Sequence, residues 1–437
     1  MIKEVSLKGH PLFFYILLFP FAKAGFSVFA MQFLCWISSA AAVYLLHAYS
    51  PFPFLLNFLI TVSAPFLYFF PVIARSYSII PFLLFLSACF YSSRREKPLL
   101  YLLPLAAAAN THFIMTGFAF ILFMFFYHEN FIKEKAYSGK AARSIIEVIA
   151  LSIAVPAAQI IFAVMNNDFF SPSYKGAFLP ITYFFVSFFE NLTPYFANNE
   201  YVLPLSILSL CGGAAVILLL CFILHKLYAI SSKLFYAAMF SLAYQLAAYS
   251  FFYPLVYPMR VFCFHCILLF CFWCGLQGVK EDKAKAISAL NWNQKSSLSL
   301  LKLLFFITIP SGLYFAFGDC MHKFSSAPEM AAFINNNVSE SDYVFASTDF
   351  MESLVLALGE RKILFSRGEP LSFSRNEYIL KDTDLYNYAT PGRKVFLLLW
   401  EKEETQRYNL IYSAESALKW KEDYYLVQIY PETEHGY

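Results

Sequence analysis

The sequence predicts a mainly α-helical, polytopic membrane bundle of about ten spans with interfacial helices, followed by a small C-terminal α/β domain. Three observations predict it. Hydrophobic residues fill 59% of the 437 positions and charged residues only 14%, with a mean hydropathy of +0.56; soluble domains carry about 25% charged residues. Apolar runs long enough to cross a bilayer recur through the first three quarters of the chain. The charge balance then inverts: residues 1–319 hold 20 Lys/Arg and 11 Asp/Glu, whereas the last 118 residues hold 12 and 18. Two domains follow, 1–319 as the membrane body and 320–437 as the α/β domain. A soluble single-core globule is excluded. With 52 Phe against 15 Gly and 21 Pro, so are a fibrous repeat and a disordered chain.

The first apolar run, residues 12–22, is short and carries Pro20, which reads as an amphipathic helix lying in the interface. The spans are then expected near 26–48, 54–71, 77–92, 98–110, 112–127, 144–166, 203–225, 233–253, 258–278 and 299–318. The fourth and fifth are short and separated only by Asn110-Thr111-His112, so they read as two short helices or one broken hairpin whose polar turn lines protein or water.

One set of alternate loops carries 14 Lys/Arg, from Arg94 to Lys302, and the opposite set with the N-terminus carries six. The positive-inside rule makes the first set cytoplasmic and places the N-terminus and the α/β domain outside. The expected location is therefore a membrane with these basic loops on its cytoplasmic side. The net charge of +3 comes from short loops rather than a continuous patch, so no nucleic-acid partner is implied.

Nine Cys, an odd number, imply no disulfide framework. Cys263/Cys266 and Cys271/Cys274 imitate zinc knuckles in spacing, but they fall in one unbroken helical run and read as small apolar fillers.

In the C-terminal domain, Ser326-Ala327-Pro328-Glu329 predicts a capping box opening a helix to about residue 335. Strands are expected at 343–347, 363–365, 395–400 and 424–430, with a helix between Asp349 and Leu358.

Strongly polar side chains at membrane depth are costly and mark functional sites, and here they gather on the outer side. Glu4 and His10 precede the interfacial helix; Arg75 and Tyr77 sit between spans; Asn110 and His112 form the next outer turn; Arg260 opens a late span. The outer segment 167–202 adds Glu190 and many aromatics, with a second interfacial helix expected at 181–189. Such a face suits a polar head group attached to a membrane lipid. Each element also has a plain structural reading: Arg75 and Arg260 as head-group anchors, His10 and His112 as helix-end partners.

Gly9-His10-Pro11-Leu12-Phe13-Phe14-Tyr15, Ala74-Arg75-Ser76-Tyr77 and Asn110-Thr111-His112-Phe113 resemble, in order and spacing, segments of the bacterial multi-pass glycosyltransferases of the GT-C class, relatives of protein mannosyltransferases and lipid A aminoarabinose transferases. The resemblance covers roughly residues 8–130, and the rest of the body more loosely. It implies a sugar taken from a polyprenyl-phosphate donor, a lipid or glycan acceptor outside, an Asp or Glu general base in the first outer loop, and often a divalent metal. On that resemblance Arg260 is the candidate phosphate partner, and Arg75, Tyr77, His10, Asn110 and His112 shape the site. The family's acidic loop has no match ahead of His10. Glu4 is the only acid there; a start upstream of Met1, a degenerate enzyme, or another acid such as Glu190 are the alternatives. A competing expectation is a non-catalytic membrane protein, a transporter-like flippase or a scaffold presenting the α/β domain.

Overall fold

Proline and polar punctuation cut the apolar body into helices close to where the sequence predicts them. The structure, a computed structural model, describes residues 12–24, 26, 29–165, 207–251, 258–277, 292–321, 326–346, 394–399, 409–414 and 424–429. The chain divides into two units, Met1–Ala316 and Phe317–Tyr437. Glu4, His10, Glu190, the expected interfacial helix at 181–189, the expected helix from Asp349 and the expected strand at 363–365 all lie outside the described residues.

The first unit opens with α1 (Phe13–Lys23), whose Phe14 is buried while Ile16 and Phe19 are exposed. Its exposed side is apolar as well, with Lys23 only at the end, so the helix is apolar all round rather than amphipathic as expected. α2 (Phe29–Tyr49) stops at Ser50 because Pro51 and Pro53 follow, and α3 (Phe54–Val62) restarts after Pro53 in extended backbone. The expected span at 54–71 is broken rather than continuous. Ser63 leaves the helical region at ψ 157°, and Pro65 then opens a π-helical turn (Pro65–Phe69) running into α4 (Phe70–Val72). The two halves bend by 56°. The cause is local: Pro65 lacks the N–H that would continue the ladder, and the Ser63 hydroxyl donates to the Ile60 carbonyl at 2.5 Å.

A 3₁₀ turn (Ser76–Ile79) leads into α5 (Ile80–Cys89), followed by α6 (Pro98–Ala109). A second 3₁₀ turn (Phe113–Met115) leads into α7 (Thr116–Tyr127), extended by a π-turn (His128–Lys133). α8 (Gly139–Met165), α9 (Ile207–Ile230), α10 (Ser232–Phe251), α11 (Pro258–Leu276) and α12 (Trp292–Met321) complete the unit. Four described helices are long and apolar enough to cross a membrane, at Ala30–Tyr49, Phe113–Lys133, Gly139–Gln159 and Gln294–Gly318, and the bent pair makes a fifth. Shorter apolar helices lie at Phe13–Lys23, Ser76–Cys89, Pro98–Ala109, Ala214–Ile230 and Arg260–Leu276; α6, with 12 residues, rises about 18 Å at 1.5 Å per residue. Short helices fit here because protein covers them: α5 packs on α2, α6 and α11. Every residue from 260 to 274 in α11 is buried, including Cys263, Cys266, Cys271 and Cys274, none of which is in a disulfide.

In the second unit, α13 (Ala327–Asn337) starts where the motif predicts, but not by a capping box. Ser326 makes no side-chain cap bond. Its hydroxyl donates instead to the Ala414 carbonyl at 2.7 Å, because the helix lies on a sheet edge that offers a buried acceptor. The sheet has the order β1-β2-β4-β3, from β1 (Tyr343–Ala346), β2 (Val395–Leu399), β3 (Asn409–Ala414) and β4 (Tyr424–Ile429). β1 and β2 are parallel, and β2/β4 and β3/β4 are antiparallel, with a register shift between Leu410 and Tyr412. α13 covers the face of Val344, Phe396, Leu398 and Leu426, and Phe333 stacks on Tyr412 with ring centroids 4.0 Å apart. The result is a mainly helical multi-pass body with a small mixed α/β domain, as the sequence predicts.

Candidate functional site

The site grows from three interruptions of the helical ladder at one end of the bundle. At the first, α4 ends at Ile73 in extended backbone (ψ 109°), and Arg75 is also extended, at φ −135° and ψ 159°. The Arg75 N–H donates to the Ile73 carbonyl at 2.8 Å, and the Ser78 N–H to the Arg75 carbonyl at 3.1 Å. The Ser78 hydroxyl adds a bond to Ile73 O at 3.1 Å, and Cys35 Sγ lies 3.7 Å from Arg75 O. This tight turn sends Arg75 outward, exposed, and Tyr77 inward, 7% exposed.

At the second, α6 ends at Asn110, where backbone N–H groups still reach the Ala106 and Ala108 carbonyls but the end of the ladder leaves carbonyl capacity to spare. Side chains take it up: Asn110 Nδ2 donates to Ala106 O at 2.9 Å, Thr111 Oγ1 to Ala107 O at 2.8 Å and Thr116 Oγ1 to Ala109 O at 3.2 Å. Asn110 O also accepts from the Phe13 N–H at 2.9 Å, tying α1 to this turn. His112 follows in extended backbone (φ −150°, ψ 135°) and caps the next turn, its Nδ1 accepting from the Ile114 N–H at 3.3 Å. The segment is thus two separate helices joined by this polar turn, the second belonging to the Phe113–Lys133 stretch long enough to cross a membrane, and His112 does act as a helix-end partner.

At the third, α11 begins at Pro258 and carries Arg260 in its first turn, 7% exposed. The three meet. Arg260 Nε donates to the Tyr77 hydroxyl oxygen at 2.9 Å, across 183 residues of sequence. The Tyr77 ring lies against the His112 ring with centroids 4.4 Å apart and planes inclined at 37°. His112 in turn touches Phe113 at 5.3 Å. Burying a guanidinium is costly unless its donors are used, and the phenol oxygen takes one of its five.

Of the residues singled out in the sequence, Tyr77, His112 and Arg260 come together directly. Asn110 holds the turn beneath His112, and Arg75 belongs to the Tyr77 turn while facing solvent. Thr111 stands in the quoted motif without a role assigned to it, and Thr116 is not singled out in the sequence at all. The available signal is a hydroxyl two to seven residues past an apolar helix end, where orphan carbonyls need donors.

The opposite end of the bundle is chemically different. Arg94 pairs with Glu129 at 3.3 Å, Lys233 also pairs with Glu129, and Arg95 pairs with Glu134. Arg94 lies over the Tyr91 ring at 4.2 Å. Burial pushes the Tyr91 hydroxyl up, with Arg94 opposing. Gln277 closes the same end, donating to Ala88 O at 2.6 Å and accepting from the Ser92 N–H at 3.1 Å. Arg94, Arg95 and Lys233, from loops that the sequence assigns to one side, thus meet carboxylates at one end, while the Arg260 end is built from aromatic rings and a buried cation.

No family model matches this sequence, and no curated protein matches it. A similar solved structure is the crystal structure of ArnT from Cupriavidus metallidurans bound to undecaprenyl phosphate, at 11% identity and a TM-score of 0.49, covering 96% of this chain and 87% of that one.

Proposed function

We propose that this chain is a membrane glycosyltransferase that moves a sugar from a polyprenyl-phosphate donor to an acceptor at the outer membrane face, with Arg260 contacting the carrier phosphate. One observation carries the reading: Tyr77, His112 and Arg260, from three separate motifs singled out on the same predicted side, meet at one end of the bundle around a buried guanidinium. Arg260, largely shielded from water, meets a phosphate more strongly than an exposed arginine does, because the local dielectric is low. As the anomeric bond breaks, negative charge builds on the departing phosphate, and a pre-placed guanidinium stabilises it without reorganisation. An acid on the outer side takes the acceptor's hydroxyl proton; its two candidates, Glu4 and Glu190, lie outside the described residues. No step is assigned to a divalent metal: among the described residues no group of three His, Cys, Asp or Glu side chains converges to hold one.

The test is release of free polyprenyl phosphate from polyprenyl-phosphate-linked sugars in membranes containing the chain. Arg260→Gln should lower the release by about 100-fold or more, the effect of removing one charge-stabilising donor. Release at the wild-type rate in that variant would overturn the assignment.

A further inference from the structure

The end of the bundle opposite Arg260 carries two layers of charge, and only the inner one is balanced. Glu129 takes both Arg94 and Lys233, Glu134 takes Arg95, and Glu147 takes Arg143 at 2.7 Å. The Tyr137 hydroxyl donates to the Arg95 carbonyl. These contacts tie the 91–97 loop, the 128–138 turn and the start of α10 into one frame and use up its carboxylates. Lys97, Lys133, Lys135 and Lys140 are exposed and form no ion pair among the described residues. In these loops Glu96 is the one carboxylate left to set against them among the described residues. We propose that the four lysines form a binding surface for the headgroups of anionic phospholipids in the adjoining leaflet.

The lysines stand where headgroups lie. Phe113–Lys133 and Gly139–Gln159 are each long and apolar enough to cross a membrane. Lys133 therefore ends one span, Lys140 opens the next, and Lys135 lies in the short link between them. Lys97 immediately precedes α6. Apolar surface accompanies the charge: Ile132 is 57% exposed beside Lys133, and Tyr127 stacks on Phe131 with ring centroids 5.0 Å apart. Aromatic rings and long basic side chains beside exposed aliphatics are the composition of the headgroup boundary. A soluble anion would meet the ammonium groups and gain nothing from Ile132 or Tyr127, whereas a phospholipid meets both, with phosphate on lysine and acyl chain on the apolar side chains. Lys135 adds a second argument. Its φ of +47° is left-handed, and Gly139 follows at +56°, so the link folds back through two left-handed residues. Asparagine or glycine adopts that conformation at lower cost than lysine, and the turn thus holds a charge at conformational expense.

The inference is independent of the function proposed above. To test it, the full-length protein is reconstituted in vesicles of equimolar phosphatidylglycerol and phosphatidylcholine with the same acyl chains and extracted in mild detergent, and the retained lipids are counted by mass spectrometry. Phosphatidylglycerol should be retained preferentially, and the preference should shrink as sodium chloride rises. Replacing all four lysines by glutamine should abolish it. Lys135→Asn removes one charge while relieving the left-handed strain, so it should lower the preference by up to about fivefold in a protein at least as stable as wild type, a combination that unfolding cannot produce. Arg260→Gln should leave the preference as it is. Equal retention of the two lipids by wild type, or a preference undiminished in the fourfold variant, would overturn the proposal. So would loss of the preference in Arg260→Gln, which would put the lipid at Arg260 instead. Displacement of phosphatidylglycerol by inorganic phosphate beyond that caused by sodium chloride at equal ionic strength would also overturn it, making the occupant a free anion.

Discussion

Replacing Gly312 by alanine tests how the broken span is held. A Cβ added at Gly312 of α12 would stand 2.7 Å from Ala64 Cα and 2.9 Å from Ala64 N. Ordinary carbon contacts lie at about 3.5–4.0 Å, so the α12 and 63–65 backbones must separate by about 1 Å. Neither atom is a side-chain end that can swing away. Overpacking of this kind costs about 1–3 kcal/mol, and contact with backbone on both sides places it at about 2–3 kcal/mol. Opposing this, a Gly→Ala change inside a helix ordinarily stabilises by about 1 kcal/mol. The net expectation is destabilisation by about 1–2 kcal/mol, or roughly 5- to 30-fold in the folding equilibrium. The adjacent residue supplies the control. Ser311 is fully buried, and its hydroxyl has no hydrogen-bond partner among the described residues, so Ser311→Ala should be neutral or stabilising. Unfolding by SDS in mixed micelles, followed by tryptophan fluorescence, compares the two variants with wild type. A Gly312→Ala protein as stable as wild type would refute the close approach of α12 to the break at Ser63 and Ala64.

Three further outcomes are expected. Glu129→Gln leaves Arg94 and Lys233 facing each other without their shared carboxylate; both are partly exposed, at 27% and 44%. The loss should therefore be only about 1 kcal/mol, shrinking in high salt as screening relieves the repulsion. A salt-independent loss in micelle unfolding would contradict an ionic origin. Ser326→Ala removes the buried bond to Ala414 O and should cost the second unit about 1–2 kcal/mol, read as faster amide exchange across β3 and α13 in the full chain; unchanged exchange would show that the bond holds nothing. With Cys221 and Cys320 replaced, an impermeant maleimide should label a cysteine at exposed Arg75 in intact cells and one at exposed Glu96 only after permeabilisation. The reverse pattern would invert the orientation of the bundle.

Helix positions were legible because proline pairs, polar turns and basic loops punctuate an otherwise apolar text. The break at Ser63 was not. Residues 54–71 read as one apolar run in which Pro65 is a single breaker among many prolines, and the close approach of Gly312 to the break, some 250 residues later, is a proximity no local pattern encodes. β3 escaped notice for a related reason: at an edge, with a register shift and only Ala414 buried, it lacks the alternation that betrays a strand. Ser326 was legible as a helix start but not as a tie to Ala414, since the acceptor lies 88 residues away. The site itself was half legible. The cost of polar groups at membrane depth pointed to Tyr77, His112 and Arg260, yet it ranked Arg75 beside them, and only the turn geometry separates the outward arginine from the inward tyrosine.

The most direct test is binding of a polyprenyl phosphate, compared with the uncharged polyprenol of the same chain length, to the purified protein in nanodiscs. The account predicts saturable binding of the phosphate, little binding of the alcohol, and loss of the difference in Arg260→Gln. Equal binding of phosphate and alcohol by the wild-type protein, or a preference for phosphate that survives in Arg260→Gln, would contradict it.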